Sequence, residues 1–256
     1  MFDDAGGPRS PTSPPLSEFP PSRTTPPEPG APPAKSPLCC RSVSSTIVAV
    51  DGPGGTGKST VSRAVAHRAG LPHLDTGAFY RAATLAVLRA GVEPSDSDSV
   101  DDVVSGLALD QVEGRMLLEG EDVSAEIRSE PVTAAVSAVS AHPELRRRLV
   151  EMQRCWVEEH GGGVVEGRDI GSVVFPDATV KVFLDASPEV RARRRAAETG
   201  ESLDAVLEDL IRRDGLDSTR AASPLTIPDD AVVIDTSELT FDEVVERVVA
   251  LVSSKS

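Results

Sequence analysis

No stretch of this 256-residue chain approaches the apolar length needed to span a bilayer, so a membrane partner is not expected. Cysteine is nearly missing as well. Cys39 and Cys40 are adjacent and Cys155 stands alone in a helical stretch, which supplies neither a disulfide framework nor the spacing of a metal site. A reducing cytoplasm is the compartment that fits. Positive charge is in deficit, with 26 Lys and Arg against 41 Asp and Glu and a formal net charge of −15. Such a field repels phosphate backbones and argues against general binding to nucleic acid. What positive charge there is clusters late in the chain, at Arg191, Arg193, Arg194, Arg195, Arg212, Arg213 and Arg220. A local polyphosphate site inside an acidic protein needs such a cluster. Internal repeats are absent.

Residues 1–44 are dominated by Pro, Ser, Gly and Thr, with paired prolines at Pro14-Pro15, Pro20-Pro21, Pro26-Pro27 and Pro32-Pro33. Such a segment cannot bury enough apolar surface to offset the entropy of ordering it, and is expected to be a disordered tail with local polyproline II character. It lacks the apolar core of a secretory signal, and Asp3 and Asp4 are unlike a transit peptide. It fits either a ligand for a Pro-binding module or an extension without catalytic consequence. Residues 45–256 are expected to form one globular unit.

Within that unit, Gly52-Pro53-Gly54-Gly55-Thr56-Gly57-Lys58-Ser59 fills every position of the phosphate-loop pattern G-x-x-x-x-G-K-[ST]. The apolar run Thr46–Asp51 before it reads as a buried strand, and the segment from Ser59 and Thr60 onward reads as a helix. Strand, loop and helix follow in the order the motif requires. The glycines let successive backbone N–H groups turn toward phosphate oxygens, and the helix start adds partial positive charge. Gly52 through Thr60 are therefore the expected ATP-phosphate site. Lys58 is expected to reach the β- and γ-phosphates, and the Ser59 hydroxyl to bind Mg²⁺.

The pattern then continues in alternation. Leu71–Asp75 reads as a short strand, and a helix is expected from about 77 to 90. Asp and Ser over 95–102 break the pattern. Residues 107–127 suggest a small antiparallel hairpin apart from the main sheet. Pro131 opens a long helical segment with an expected kink at Pro143, stopped by Gly161-Gly162-Gly163. Strands are expected at 164–166, 180–184 and 231–235, with helices at 188–198, 202–214 and 241–253. Strands alternating with helices imply α/β architecture: a parallel sheet covered on both faces, with ligands at the carboxyl ends of the strands. Asp75, Glu166 and Asp169 lie on that rim, where Asp75 and Glu166 read equally as site carboxylates or as helix caps.

A phosphate loop alone does not choose between a switch, a motor and a kinase. Transfer to a second anion needs arginines converging from several directions, and the sequence offers Arg81, Arg168, Arg213 and Arg220. Together the loop, Asp75-Thr76-Gly77-Ala78-Phe79-Tyr80-Arg81, the hairpin with Val123–Arg128, Glu166-Gly167-Arg168-Asp169-Ile170-Gly171, Val174–Ala178, and Arg213-Asp214 with Asp217 and Arg220 resemble the bacterial cytidylate kinase family. The resemblance runs from about Thr46 to the C-terminus. It implies a P-loop three-layer fold with a central parallel sheet, helices on both faces, a small antiparallel insert and a helical lid. The insert, at about 91–160, would bind the monophosphate, and about 191–222 would form the lid.

The resemblance further implies ATP with Mg²⁺ on one side and CMP or dCMP on the other, in a cytoplasmic monomer. Thr76, Tyr80, Arg81 and Arg168 would line the acceptor phosphate, while Ser137, Arg146 and Asp169 would read cytosine. Arg213 and Asp217 would hold the sugar. Lys58, Arg81, Arg168 and Arg220 would carry the chemistry, Arg220 on the transferred phosphoryl group. In two places the chain departs from the family. Leu216 stands where a further lid arginine is common, leaving compensation to Arg212 or the Arg193–Arg195 cluster. Thr76 replaces a common serine and keeps the hydroxyl.

Ser137 also reads as a packing residue, and the choice among Arg146, Arg147 and Arg148 rests on the resemblance alone. His73 reads as packing or solvent-facing. Competing with this reading are a shikimate-type metabolite kinase and a nucleotide switch, though no Asn/Thr-Lys-x-Asp guanine-reading segment occurs.

Overall fold

The computed structural model describes residues 46–219 and 225–255, the side chains of 213 and 216–219 excepted. The expected tail at 1–44 lies outside the described residues. Strand β1 (Ile47–Asp51) is the middle of a five-stranded parallel sheet. Its sequence, Ile-Val-Ala-Val-Asp, has no polar residue before the last because both faces are covered, and Val48, Ala49 and Val50 are fully buried. Helix α1 (Lys58–Ala69) follows the loop, then β2 (His73–Asp75), α2 (Thr76–Arg89) and α3 (Ser97–Ser105).

Helix α3 corrects the expectation of a break at 95–102. The Asp96 side chain accepts from Ser99 N and Ser99 Oγ at its start, and Val100 and Val104, one turn apart, are buried. Abundant Asp and Ser masked a short helix whose apolar stripe is only two residues deep.

The insert is a three-stranded antiparallel sheet of β3 (Leu109–Val112), β4 (Arg115–Leu118) and β5 (Glu121–Asp122), one strand more than a hairpin. Both turns have two residues, Glu113-Gly114 and Glu119-Gly120, all four with positive φ, as primed hairpin turns require. The Gln111 side chain ties this sheet to the edge of the main one, accepting from Asp75 N at 3.0 Å and donating to His73 O at 2.7 Å.

Next come α4 (Glu130–Val139) and α5 (Pro143–Glu159). These are two helices, not one kinked helix. Pro143 lies in the first turn of α5, where its missing N–H costs nothing, and the chain is extended at His142. Strand β6 (Gly163–Glu166), a π-type turn at Ile170–Val174, β7 (Val180–Asp185), α6 (Pro188–Thr199), α7 (Leu203–Thr219), β8 (Val232–Asp235) and α8 (Phe241–Ser253) complete the chain.

The strand order β2-β6-β1-β7-β8 puts β1 between β6 and β7. Alternate residues divide the core. Val48, Val50 and Val164 join Val61 and Val65 of α1 and Val244 and Val248 of α8 on one face. On the other face Ala49 and Val165 join Phe79 of α2 and Leu145, Leu149 and Trp156 of α5. Helices α6 and α7 pack on each other around a separate, small cluster of Ala192, Val206 and Leu210. Among the described residues, no helix is long and apolar enough to cross a membrane.

Candidate active site

The carboxyl ends of β1, β2 and β6 open into one cleft of about 540 Å³. The phosphate loop forms its floor. Gly57 takes a left-handed φ of 85° at the start of α1 and offers no side-chain cap, and the positive end of the helix dipole faces the cleft. Lys58 is buried and its Nζ donates to Pro53 O at 2.6 Å, which also accepts from Thr56 Oγ1 at 3.1 Å.

Beside the loop, Ser59 Oγ donates to Glu166 Oε2 at 2.7 Å, while Glu166 Oε1 lies 3.1 Å from His73 Nε2. Glu166 thus caps no helix, and its carboxylate lines the cleft. Burial pushes its carboxyl upward, but hydrogen bonds from His73 and Ser59 and the charge of Lys58 outweigh burial and hold it below the ordinary range. Its register partner across the β2–β6 ladder, Asp75, is shifted the other way, first by burial and then by the Glu166 charge. Asp75 caps α2 through Ala78 N at 3.1 Å.

A hydroxyl and an ionised carboxylate held together at the phosphate loop are hard oxygen donors, and they fit Mg²⁺. Among the described residues no cage of three His, Cys, Asp or Glu forms. Mg²⁺ does not need one, since it keeps waters and takes phosphate oxygens.

The far end of the cleft is built from α2, α4, α5 and the segment after β6. Arg146 Nη2 and Asp169 Oδ2 form an ion pair at 2.5 Å with both side chains buried, and Arg146 Nη1 donates to Ser140 O at 3.3 Å. The guanidinium lies over the Tyr80 ring, 5.2 Å from its centroid. Arg146 Nε is buried with no hydrogen-bond partner. Of the three successive arginines only Arg146 turns inward. Arg147 is exposed and paired with Glu144 and Glu151, and Arg148 donates to the carbonyls of Val104 and Ser105. Ser137 of α4 and Ser140, which caps the end of that helix, also line the cleft.

Arg81 bridges α2 to α4, donating to Thr133 Oγ1 at 2.9 Å and Ile127 O at 3.3 Å. Arg168 faces the loop: a side chain at Gly54 would place its Cβ 3.6 Å from Arg168 Nη2. Thr76 lines the cleft, and its hydroxyl donates to Glu166 O at 2.7 Å. Arg212 is exposed and paired with Asp209 at 2.6 Å. Arg194 and Arg195, not Arg193 or Arg212, line the cleft from α6. Arg220 lies outside the described residues, as do the side chains of Arg213 and Asp217.

Sequence reasoning missed several participants. His73 neither simply packs nor faces solvent but holds Glu166, a contact across 93 residues with no local pattern. Asp51, at the end of β1, accepts from Ile170 N at 2.8 Å and Gly171 N at 2.7 Å and so fixes the turn after Asp169. Burial drives its carboxyl up to about 6 against these two bonds. Arg63 and Arg128 line the cleft as well. Arg128 falls inside the Val123–Arg128 segment that carries the resemblance.

A phosphate loop ending the central strand of a parallel sheet, and an arginine-lined cleft beside it, define a P-loop phosphotransferase. A family model described as cytidylate kinase matches residues 48–254. The chain is 53% identical over 215 residues to a cytidylate kinase of Mycobacterium leprae (strain Br4923), covering 82% of this chain and 96% of that one. It is 54% identical over 224 residues to a cytidylate kinase of Rhodococcus opacus (strain B4), covering 84% and 98%. A solved shikimate kinase from Bacteroides thetaiotaomicron aligns at 16% identity and a TM-score of 0.42 over 81% of this chain and 98% of that one, too loose a likeness to bear on fold or activity. The chain belongs to the cytidylate kinase family, which makes it a nucleotide kinase of the (d)CMP class.

Proposed function

We propose that the protein transfers the γ-phosphoryl group of ATP to the phosphate of CMP or dCMP, giving ADP and CDP or dCDP. The observation that supports this most is that the phosphate loop and the buried Arg146–Asp169 pair open into one cleft. Cytosine presents an amino donor beside ring acceptors, so a carboxylate with an arginine is the smallest set that distinguishes it. Asp169 accepts from the amino group, and Arg146, with its unsatisfied Nε, donates to the ring acceptors. Ser137 completes the base site.

An oxygen of the acceptor phosphate attacks the γ-phosphorus in line as the bond to the bridging oxygen breaks, and ADP leaves. The attacking phosphate is already anionic, so no general base is required. Lys58 leaves Pro53 O for the β- and γ-phosphates, and Arg81 and Arg168 offset the repulsion between the two nucleotides. Thr76 and Tyr80 border the acceptor phosphate, with Thr76 fixing the β6 corner through Glu166 O. Ser59 and Glu166 would hold Mg²⁺, which supplies charge neutralisation and orientation of the phosphates. Arg213 and Asp217 hold the sugar, and Arg220 reaches the transferred group.

The insert at about 91–160 closes on the monophosphate and residues 191–222 act as the lid. The small α6–α7 core is consistent with a segment that moves. Arg168→Ala tests the reading. It is expected to lower kcat at least a hundredfold while ATP binding stays near wild type, and unchanged CMP turnover would overturn the assignment.

A further inference from the structure

Arg191 is nine-tenths buried, does not line the cleft, and touches three elements at once. Its Nε donates to Ala186 O at 3.0 Å just after β7, and its Nη1 donates to Gly54 O in the phosphate loop at 3.1 Å. Its Nη2 pairs with Asp214 Oδ2 of α7 at 2.7 Å. We infer that Arg191 is a positioning residue that couples the phosphate loop to helix α7, so that filling one with phosphate tightens the other.

In a trans peptide the carbonyl of Gly54 and the N–H of Gly55 point to opposite sides of one plane. A charge-assisted hydrogen bond that pins the carbonyl toward Arg191 turns the Gly55 N–H the other way, away from α6. Gly55 itself has a φ of 79°, and a Cβ there would lie 3.1 Å from Arg191 Cβ and 3.2 Å from Arg191 O. The approach of loop to helix is thus built around a glycine and one guanidinium. A lysine at 191 could not replace it, because a single ammonium lacks the planar fork that serves two carbonyls and a carboxylate together.

The other end of the fork acts on α7. Among the described residues, that helix meets α6 around the small cluster of Ala192, Val206 and Leu210, with Ala196 and Leu207 packed against it, and the ion pair to Asp214 adds a directional contact to that modest apolar docking. Coupling of this kind is reciprocal. If phosphate binding favours docking of α7, docking of α7 favours phosphate binding by the same factor.

The inference rests on the proposed function for the identity of the loop's ligand, and the experiment separates the two. The binding of a non-hydrolysable ATP analogue with Mg²⁺ is measured by calorimetry, and amide hydrogen exchange of α7 is followed with and without it. In the wild type the analogue is expected to slow exchange in α7. Arg191→Met should weaken the analogue about tenfold or more and abolish that slowing, with KM for CMP within about twofold of wild type. Arg191→Lys should not restore either property. Asp214→Asn keeps the loop contact, so it should weaken the analogue by only about threefold while still losing the slowing.

Wild-type affinity in a folded Arg191→Met protein, or undiminished slowing in Asp214→Asn, would overturn the inference alone. Should Arg191→Met fail to fold, the exchange result for Asp214→Asn decides. A wild-type protein that bound no analogue would overturn the proposed function, and this inference with it.

Discussion

Ser59 and Glu166 are 107 residues apart in sequence, yet the Ser59 hydroxyl donates to the Glu166 carboxylate at 2.7 Å. The register that aligns β1 with β6 brings the last residue of one strand beside the helix that follows the other. Hydrogen bonds from His73 and Ser59 hold the Glu166 carboxyl below the ordinary range, and a hydroxyl beside such a carboxylate suits the hard cation proposed to accompany ATP.

Glu166→Gln keeps the shape and removes the charge. It is expected to raise the Mg²⁺ concentration for half-maximal rate about tenfold or more. The same shift should appear when Mg²⁺ is titrated into protein with a non-hydrolysable ATP analogue. An unchanged Mg²⁺ requirement would remove Glu166 from the metal site.

The Arg146–Asp169 pair separates stability from recognition. Either Arg146→Met or Asp169→Leu alone strands a buried charge, and each should cost about 3 kcal/mol or more, read from urea midpoints. The double variant should recover much of that loss, yet turn over CMP poorly. Normal CMP turnover in the folded double variant would show that the pair is structural only.

Asp51 makes a prediction about pH. Its carboxyl lies at about 6 in the native state against an ordinary value of 3.8, burial being the main cause. Between those values the native protein holds a proton that the unfolded chain has released, so this group's contribution to stability falls as pH rises through the window and is level above it. The change is on the order of 3 kcal/mol. The stability of wild type relative to Asp51→Asn, from denaturant unfolding at pH 4 to 7, should therefore decline with rising pH. A difference independent of pH would contradict the assignment.

Gly55→Ala tests the loop itself. A methyl group would sit against the Arg191 backbone at a φ that side chains avoid, so ATP affinity should drop at least tenfold while the protein remains folded. Retained affinity in equilibrium binding would show that the loop tolerates another path.

Most of this architecture was legible from local chemistry. The phosphate loop announced itself because each of its fixed positions answers a backbone or charge requirement, and β1, β6 and β7 because strands covered on both faces are written as mostly apolar runs, broken in β7 by Lys181. Helix α3 was hidden, since its two buried valines sit among solvent-facing Asp and Ser. The break before α5 resembles a kink in sequence because Pro143 marks a helix start as readily as an interruption. Contacts across the fold left no trace at either end: nothing near His73 points to Glu166, and nothing near Asp51 points to Gly171. Arg191 looked like one member of a cationic cluster, and only its depth and its three acceptors distinguish it from Arg193 on the solvent side. Arg146 became distinguishable from Arg147 and Arg148 only once α5 was packed.

The most direct test is a coupled assay of ADP release with ATP and Mg²⁺ and each nucleoside monophosphate in turn. CMP and dCMP are expected to accelerate ADP release by orders of magnitude over ATP alone and more than AMP or GMP do, with CDP or dCDP formed one for one. Preference for a purine monophosphate, or ADP release that no monophosphate accelerates, would contradict it.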